Sequence, residues 1–206
     1  MVNESVRLSG VQFHLKDLSQ ELVDEWTKAF LDCPAVEASQ GSILEASADA
    51  IVSPANSFGY MDGGLDLVYS QHFGWQVEGQ IRAKILADYD GELPVGQAVV
   101  CGMEREHGPY FMICAPTMRV PMRLDGTVNA YLAFRAVLRA VRAHNRDSSK
   151  PIRSVLCPGL GTGEGRMPAA RCARQMRFAY DVVALGNPLR KGGLGRAVEN
   201  HIELLR

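Results

Sequence analysis

The sequence predicts an α/β fold: a three-layer α/β/α sandwich with helices on both faces of a mixed central sheet. Three observations predict it. Short strand-like runs alternate with helical apolar stripes along most of the 206 residues. The later runs, at 97–103, 110–115 and 152–157, are near-continuous in apolar residues, as strands covered on both faces must be. The first two of these are joined by a short connection containing Gly108-Pro109, which reads as a hairpin and adds an antiparallel pair.

Each element has its own local reason. Residues 6–13 alternate loosely and read as a first strand. Asp17 and Ser19 are placed to cap a helix whose apolar positions Leu22, Trp26, Ala29 and Phe30 share one face, and Pro34 follows its end. Residues 36–39 read as a short strand, and Gln40-Gly41-Ser42-Ile43 as a turn into one helical turn. Residues 49–53 form the central strand. A helix opens at Gly63, is interrupted around His72-Phe73-Gly74-Trp75, and gives way to a clearer stripe at Val77, Ile81 and Ile85. Residues 90–94 are a turn, and residues 116–128 an irregular loop carrying Arg119 and Arg123. Asn129 is placed to cap a helix with Phe134, Val137, Leu138 and Val141 inward and Arg135, Arg139, Arg142 and Arg146 on the opposite face. A helix starts from Pro168, with Ala173, Met176, Tyr180 and Val183 facing in. Residues 186–195 read as a loop and 197–205 as a terminal helix.

Composition bounds the function. Apolar residues make up 47% and charged residues 22%, an ordinary globular balance, and the net charge of −1 gives no bulk attraction for nucleic acid, which is not expected as a partner. No apolar run is long enough to span a bilayer, so no membrane partner is expected, and the N-terminal residues lack the pattern of a secretory signal. Five cysteines, an odd count without CxxC spacing, read as reduced thiols of a cytoplasmic protein. No His, Cys and carboxylate cluster has metal-ligand spacing, so no structural zinc is expected, while magnesium stays open; no metal ligand is named among the site residues and no cofactor is expected.

Two loops carry the chemistry. The central strand leaves through Ser53-Pro54-Ala55-Asn56 and reaches Asp62-Gly63-Gly64-Leu65-Asp66 at the start of a helix. N–H groups there lack intrahelical partners, and the helix dipole favours an anion. The strand ending at Cys157 leaves through Pro158-Gly159-Leu160-Gly161-Thr162-Gly163-Glu164-Gly165. Alternating glycines let successive N–H groups converge, which suits either an anion or a plain tight turn. The spacing matches neither the dinucleotide fingerprint nor a P-loop.

These residues together resemble the macro domain family: Asp49-Ala50-Ile51-Val52-Ser53-Pro54-Ala55-Asn56, then Gly63-Gly64-Leu65-Asp66, then Gly161-Thr162-Gly163-Glu164-Gly165. The resemblance implies a single macro-like domain over 1–206, with its core at about 36–184, a strand–helix unit before it and a short helical extension after it. It also implies a cleft for ADP-ribose or an ADP-ribosylated substrate. In that cleft Gly159, Leu160, Gly161, Thr162, Gly163, Glu164 and Gly165 wrap the diphosphate, Gly63 and Gly64 line the first loop, and Asn56 contacts the distal ribose. Ser42 and Ile43 stand where the family reads adenine with Gly-Asp-Ile, and Ser53 where it carries the first Asn of Asn-Ala-Ala-Asn. No final strand follows residue 184, where members place an aromatic against adenine; Phe58 and Tyr60 are substitutes by position.

Asp66 is the candidate catalytic residue, with Asn56 assisting and Asp62 as a second candidate. A carboxylate suits an anomeric carbon because the transition state there is cation-like. The competing reading leaves Asp66 as a first-turn residue satisfying the helix dipole. The functional classes are a hydrolase of ADP-ribosyl links, a non-catalytic reader of ADP-ribose or an NAD-derived signal, an ADP-ribose 1″-phosphate phosphatase, and a scaffold using its arginine stripe. Sequence does not set the oligomeric state.

Overall fold

A computed structural model describes Leu8, residues 10–187 and residues 193–206. Six strands form one sheet: β1 (Gln12–Asp17), β2 (Val36–Gln40), β3 (Ala50–Ser53), β4 (Val99–Gly102), β5 (Phe111–Cys114) and β6 (Ser154–Cys157), in the order β2-β1-β6-β3-β5-β4. All neighbours are parallel except β4 with β5, so the sheet is mixed.

Alternation along the strands divides two cores. Ala50 and Val52 of β3, Ile113 of β5 and Val155 and Cys157 of β6 face one side, where α1 (Gln20–Ala29), α4 (Asn129–Asp147) and α5 (Ala169–Val183) pack. Ile51, Met112, Cys114 and Leu156 face the other, against α2 (Gly64–Phe73) and α3 (Gln76–Tyr89). Helix α6 (Gly193–Leu205) follows α5 and buries Leu204. This is the predicted three-layer sandwich.

The local rules explain the boundaries. Ser19 caps α1 by accepting the Leu22 N–H. Gly74, at φ 94, breaks α2 from α3 where the sequence places an interruption. Asp49, just before β3, accepts the N–H groups of Arg153 and Ser154 at 2.7 and 3.0 Å. That carboxylate fixes the β3–β6 register, Ile51 opposite Leu156, so the two strands end side by side.

Several expectations need correction. The first strand is Gln12–Asp17 rather than 6–13, because residues 12–17 are the ones that pair with β2 and β6; residues 1–7 and 9 lie outside the described set. Asn129 is the first residue of α4 and not its cap: its N–H donates to Thr127 Oγ1 and its amide to the Thr117 carbonyl. The tail helix begins at Gly193, within the stretch read as loop, and residues 188–192 of that stretch lie outside the described set. All five cysteines are buried and free.

Candidate functional site

Five parallel strands end on one edge, and the loops after β3 and β6 leave it as neighbours. Asn56 and Thr162 therefore lie on loops that share this edge. Open α/β sheets bind ligands at the carboxyl ends of their strands.

The first loop is held by side chains. Asn56 Oδ1 accepts the N–H groups of Phe58 and Tyr60 at 3.1 and 3.3 Å, and its amide donates to the Tyr60 carbonyl at 2.8 Å. One amide hydrogen of Asn56 has no protein acceptor among the described residues. Glu78 of α3 accepts the Met61 N–H at 2.7 Å, and Ser70 Oγ donates to the Met61 carbonyl at 2.8 Å. The loop then enters α2 at Gly63 with no side-chain cap. Among the described residues, the N–H groups of Gly63, Gly64, Leu65 and Asp66 have no protein acceptor. Gly63, Gly64 and Asp62 are exposed.

Asp66, in the first turn of α2, is only 7% exposed. Ser53 Oγ at the end of β3 donates to its Oδ1 at 2.6 Å. Burial pushes its pKa up to about 7, and the Ser53 hydrogen bond opposes that shift. Its other oxygen has no protein donor among the described residues, yet is not sealed from solvent. One oxygen is thus anchored and the other carries no protein hydrogen bond among the described residues. Tyr69, one turn on, is fully buried and donates to the Val52 carbonyl at 3.2 Å.

The second loop is held by sterics, by its backbone and, at Gly159, by one side chain. Gly161 has φ +75, and its carbonyl accepts the Met167 N–H at 2.9 Å. A Cβ at Gly165 would sit 2.6 Å from the Gly161 carbonyl oxygen and 2.7 Å from Leu124 Cδ1. Among the described residues, the N–H groups of Leu160, Gly161, Thr162, Gly163, Glu164 and Gly165 have no protein acceptor. The Gly159 N–H is different: it donates to Asp17 Oδ2 at 3.1 Å. Of the seven residues assigned to the diphosphate, Gly159 has its N–H already engaged.

The remaining candidates stand as follows. Ser42 caps the 3-10 turn Ile43–Glu45 by accepting the Leu44 N–H at 3.3 Å, and Ile43 is buried. Arg119 is paired with Glu92 through two hydrogen bonds of 2.7 and 2.9 Å and lies over the Phe58 ring. Arg82 lies over Tyr60, with its carbon 4.2 Å from the ring centre. His72 is exposed and packs edge-on against Phe73. No group of described residues is set to hold a metal, and no described helix is long and apolar enough to cross a membrane.

Sequence reasoning missed Ser53, Asp17 and Glu78 as partners of the site. Each acts across a sequence gap that no local motif marks. The one signal was that Ser53 replaced an Asn in the motif, which could have prompted the question of what that smaller hydroxyl serves.

The macro-like domain family matches residues 36–195. An uncharacterized protein of Aquifex aeolicus is 34% identical over 139 residues, 66% of this chain and 75% of that protein. Another, of Aeropyrum pernix, is 32% identical over 145 residues, 70% of each. Among solved structures, the macrodomain of Mycobacterium tuberculosis DarG has a TM-score of 0.56 at 24% identity, covering 69% of this chain and 88% of that one. The Oceanobacillus iheyensis macrodomain with MES bound has a TM-score of 0.55 at 18% identity, covering 70% and 75%. A variant of the latter solved with ADPR has a TM-score of 0.52 at 20% identity, covering 66% and 72%. At these identities the structural likeness is one of fold.

Proposed function

The chain belongs to the macro-like domain family, and from that premise we propose that it binds ADP-ribose, or an ADP-ribosyl group on a larger substrate, along the strand-end edge. The observation that carries this reading is the pair of adjacent loops bearing N–H groups without protein acceptors, one of them at the N-terminus of α2. The N–H groups of Leu160 to Gly165 bind the diphosphate, and the α2 N-terminus adds its partial positive charge. The distal ribose lies over Gly63 and Gly64, with the remaining Asn56 amide hydrogen and the unpaired Asp66 oxygen toward its hydroxyls. Ser42 and Ile43 flank the base end. A related macrodomain solved with ADPR supports the ligand class.

Asp66 gives the site a route to hydrolysis. With a pKa near 7 it is partly ionised at neutral pH and able to take a proton from water. Water oxygen bonds to the anomeric carbon, the bond from that carbon to the acceptor breaks, and the acceptor leaves with the electron pair. Asp66 receives the water proton and returns it to the departing group. Asp62, exposed nearby, is the second carboxylate able to serve. A second reading, a non-catalytic reader, has its own support: Asn56 is largely spent on its loop and Asp66 on Ser53.

Two measurements on the same protein separate these. Calorimetry with ADP-ribose gives binding. Release of ADP-ribose from an ADP-ribosylated protein, or of phosphate from ADP-ribose 1″-phosphate, gives turnover and identifies the leaving group. The hydrolase reading expects turnover that Asp66→Ala reduces at least a hundredfold while binding persists. Tight binding without product establishes the reader instead, and absence of binding removes both.

A further inference from the structure

Strand β1 and helix α1 precede the family-matched region, which begins at residue 36. Yet β1 lies inside the sheet, between β2 and β6, and its end opens on the same edge as the glycine loop. Asp17, the last residue of β1, ties three segments together. Its Oδ1 accepts the Ser19 N–H at 3.0 Å, its Oδ2 accepts the Gly159 N–H at 3.1 Å, and its carbonyl accepts the Gly41 N–H at 3.0 Å. Gly159 approaches as closely as only glycine allows. A Cβ there would collide with Thr162 Oγ1 and would sit 2.7 Å from Leu22 Cδ2 and 2.9 Å from Asp17 Oδ2.

A carboxylate at the mouth of an anion loop is unfavourable by charge alone. We propose that Asp17 is a positioning residue of the glycine loop, supplied by the strand–helix unit that precedes the matched region. Its carboxylate takes the Gly159 N–H out of the ligand's reach and fixes the plane of that peptide. The next six N–H groups then start from a set direction and converge without reorganisation on binding. This rests on the ADP-ribose reading above for its ligand, but not for its geometry.

The sign of one substitution decides between charge and position. Removing a negative charge beside a diphosphate tightens binding if charge is all that Asp17 contributes. If Asp17 positions the loop, Asp17→Ala weakens ADP-ribose binding, expected at tenfold or more by calorimetry at a temperature where the variant is folded. Asp17→Asn keeps one acceptor oxygen and falls between. Ser19→Ala is the control for damage at the same corner: it removes the α1 cap, lowers the Tm, and leaves the affinity within twofold. Unchanged or tighter binding by Asp17→Ala overturns the proposal.

Backbone 15N relaxation of the free protein supplies a readout that needs no ligand. Residues 159–165 gain fast motion in Asp17→Ala and not in Ser19→Ala. If the wild type does not bind ADP-ribose, the ligand reading falls and relaxation alone judges Asp17; unchanged loop order then overturns it. If Asp17→Ala does not fold, Asp17→Asn carries both readouts.

Discussion

The two loops at the strand-end edge both present N–H groups without protein acceptors among the described residues, four at the first and six at the second, but are built differently. The first is tied by side chains: its own Asn56 on Tyr60, and Glu78 and Ser70 from the helices on Met61. The second is shaped by what its glycines exclude, with Gly161 at positive φ and Gly165 pressed on the Gly161 carbonyl and Leu124. A hydrogen-bonded loop loses stability in steps as donors are removed. A sterically shaped loop is sensitive at its contact points and tolerant of small side chains between them. The difference predicts where each is fragile.

The largest effect lies beneath the first loop. Asp66 has a folded pKa of about 7 against about 4 when unfolded. Between those values the native state holds a proton that the unfolded state has lost, so stability falls as pH rises from about 4 to about 7 and levels off above. The full difference is on the order of 4 kcal/mol as an upper bound. Asp66→Asn flattens this limb, and the pH dependence of Tm for the two proteins, subtracted, measures it. A wild-type curve parallel to that of Asp66→Asn would mean that Asp66 is ionised throughout and better solvated than its burial implies.

Next comes Gly165→Ala, whose Cβ would meet backbone at 2.6 Å. The overpacking costs about 1–3 kcal/mol, and a denaturant midpoint shift reads it. ADP-ribose affinity falls with it, because the carbonyl that must move belongs to Gly161. Asn56→Ala follows, with three hydrogen bonds lost from a partly exposed loop at about 1–2 kcal/mol in total, water replacing part of each. The smallest is Gly163→Ala. A Cβ there meets nothing within 4 Å, so stability changes by less than about 0.5 kcal/mol. Equal losses at Gly163 and Gly165 would end the distinction between steric and hydrogen-bonded loops.

Much of this was legible in order along the chain. The alternation of strand runs and helical stripes gave the three layers, since apolar period reports directly which face is covered. Glycine spacing located the second loop, because positive φ and close approach both select that residue. The helix break at Gly74 followed for the same reason. Other features were not legible. Nothing in residues 12–17 announces that they pair between β2 and β6, and the loose alternation over 6–13 points to an earlier start than the sheet has. Ser53 meeting Asp66, Glu78 meeting Met61 and Asp17 meeting Gly159 each join elements whose proximity is set by sheet order.

By itself, then, the amino-acid order determined the layers, the two loops and the family, because period, glycine placement and motif are local properties of a chain. The tertiary structure alone decided which oxygen of Asp66 is anchored, how far its proton is retained, and which N–H groups stay without acceptors. Those depend on burial and on partners brought together from distant strands, and desolvation exists only once the sheet and helices have closed around the group.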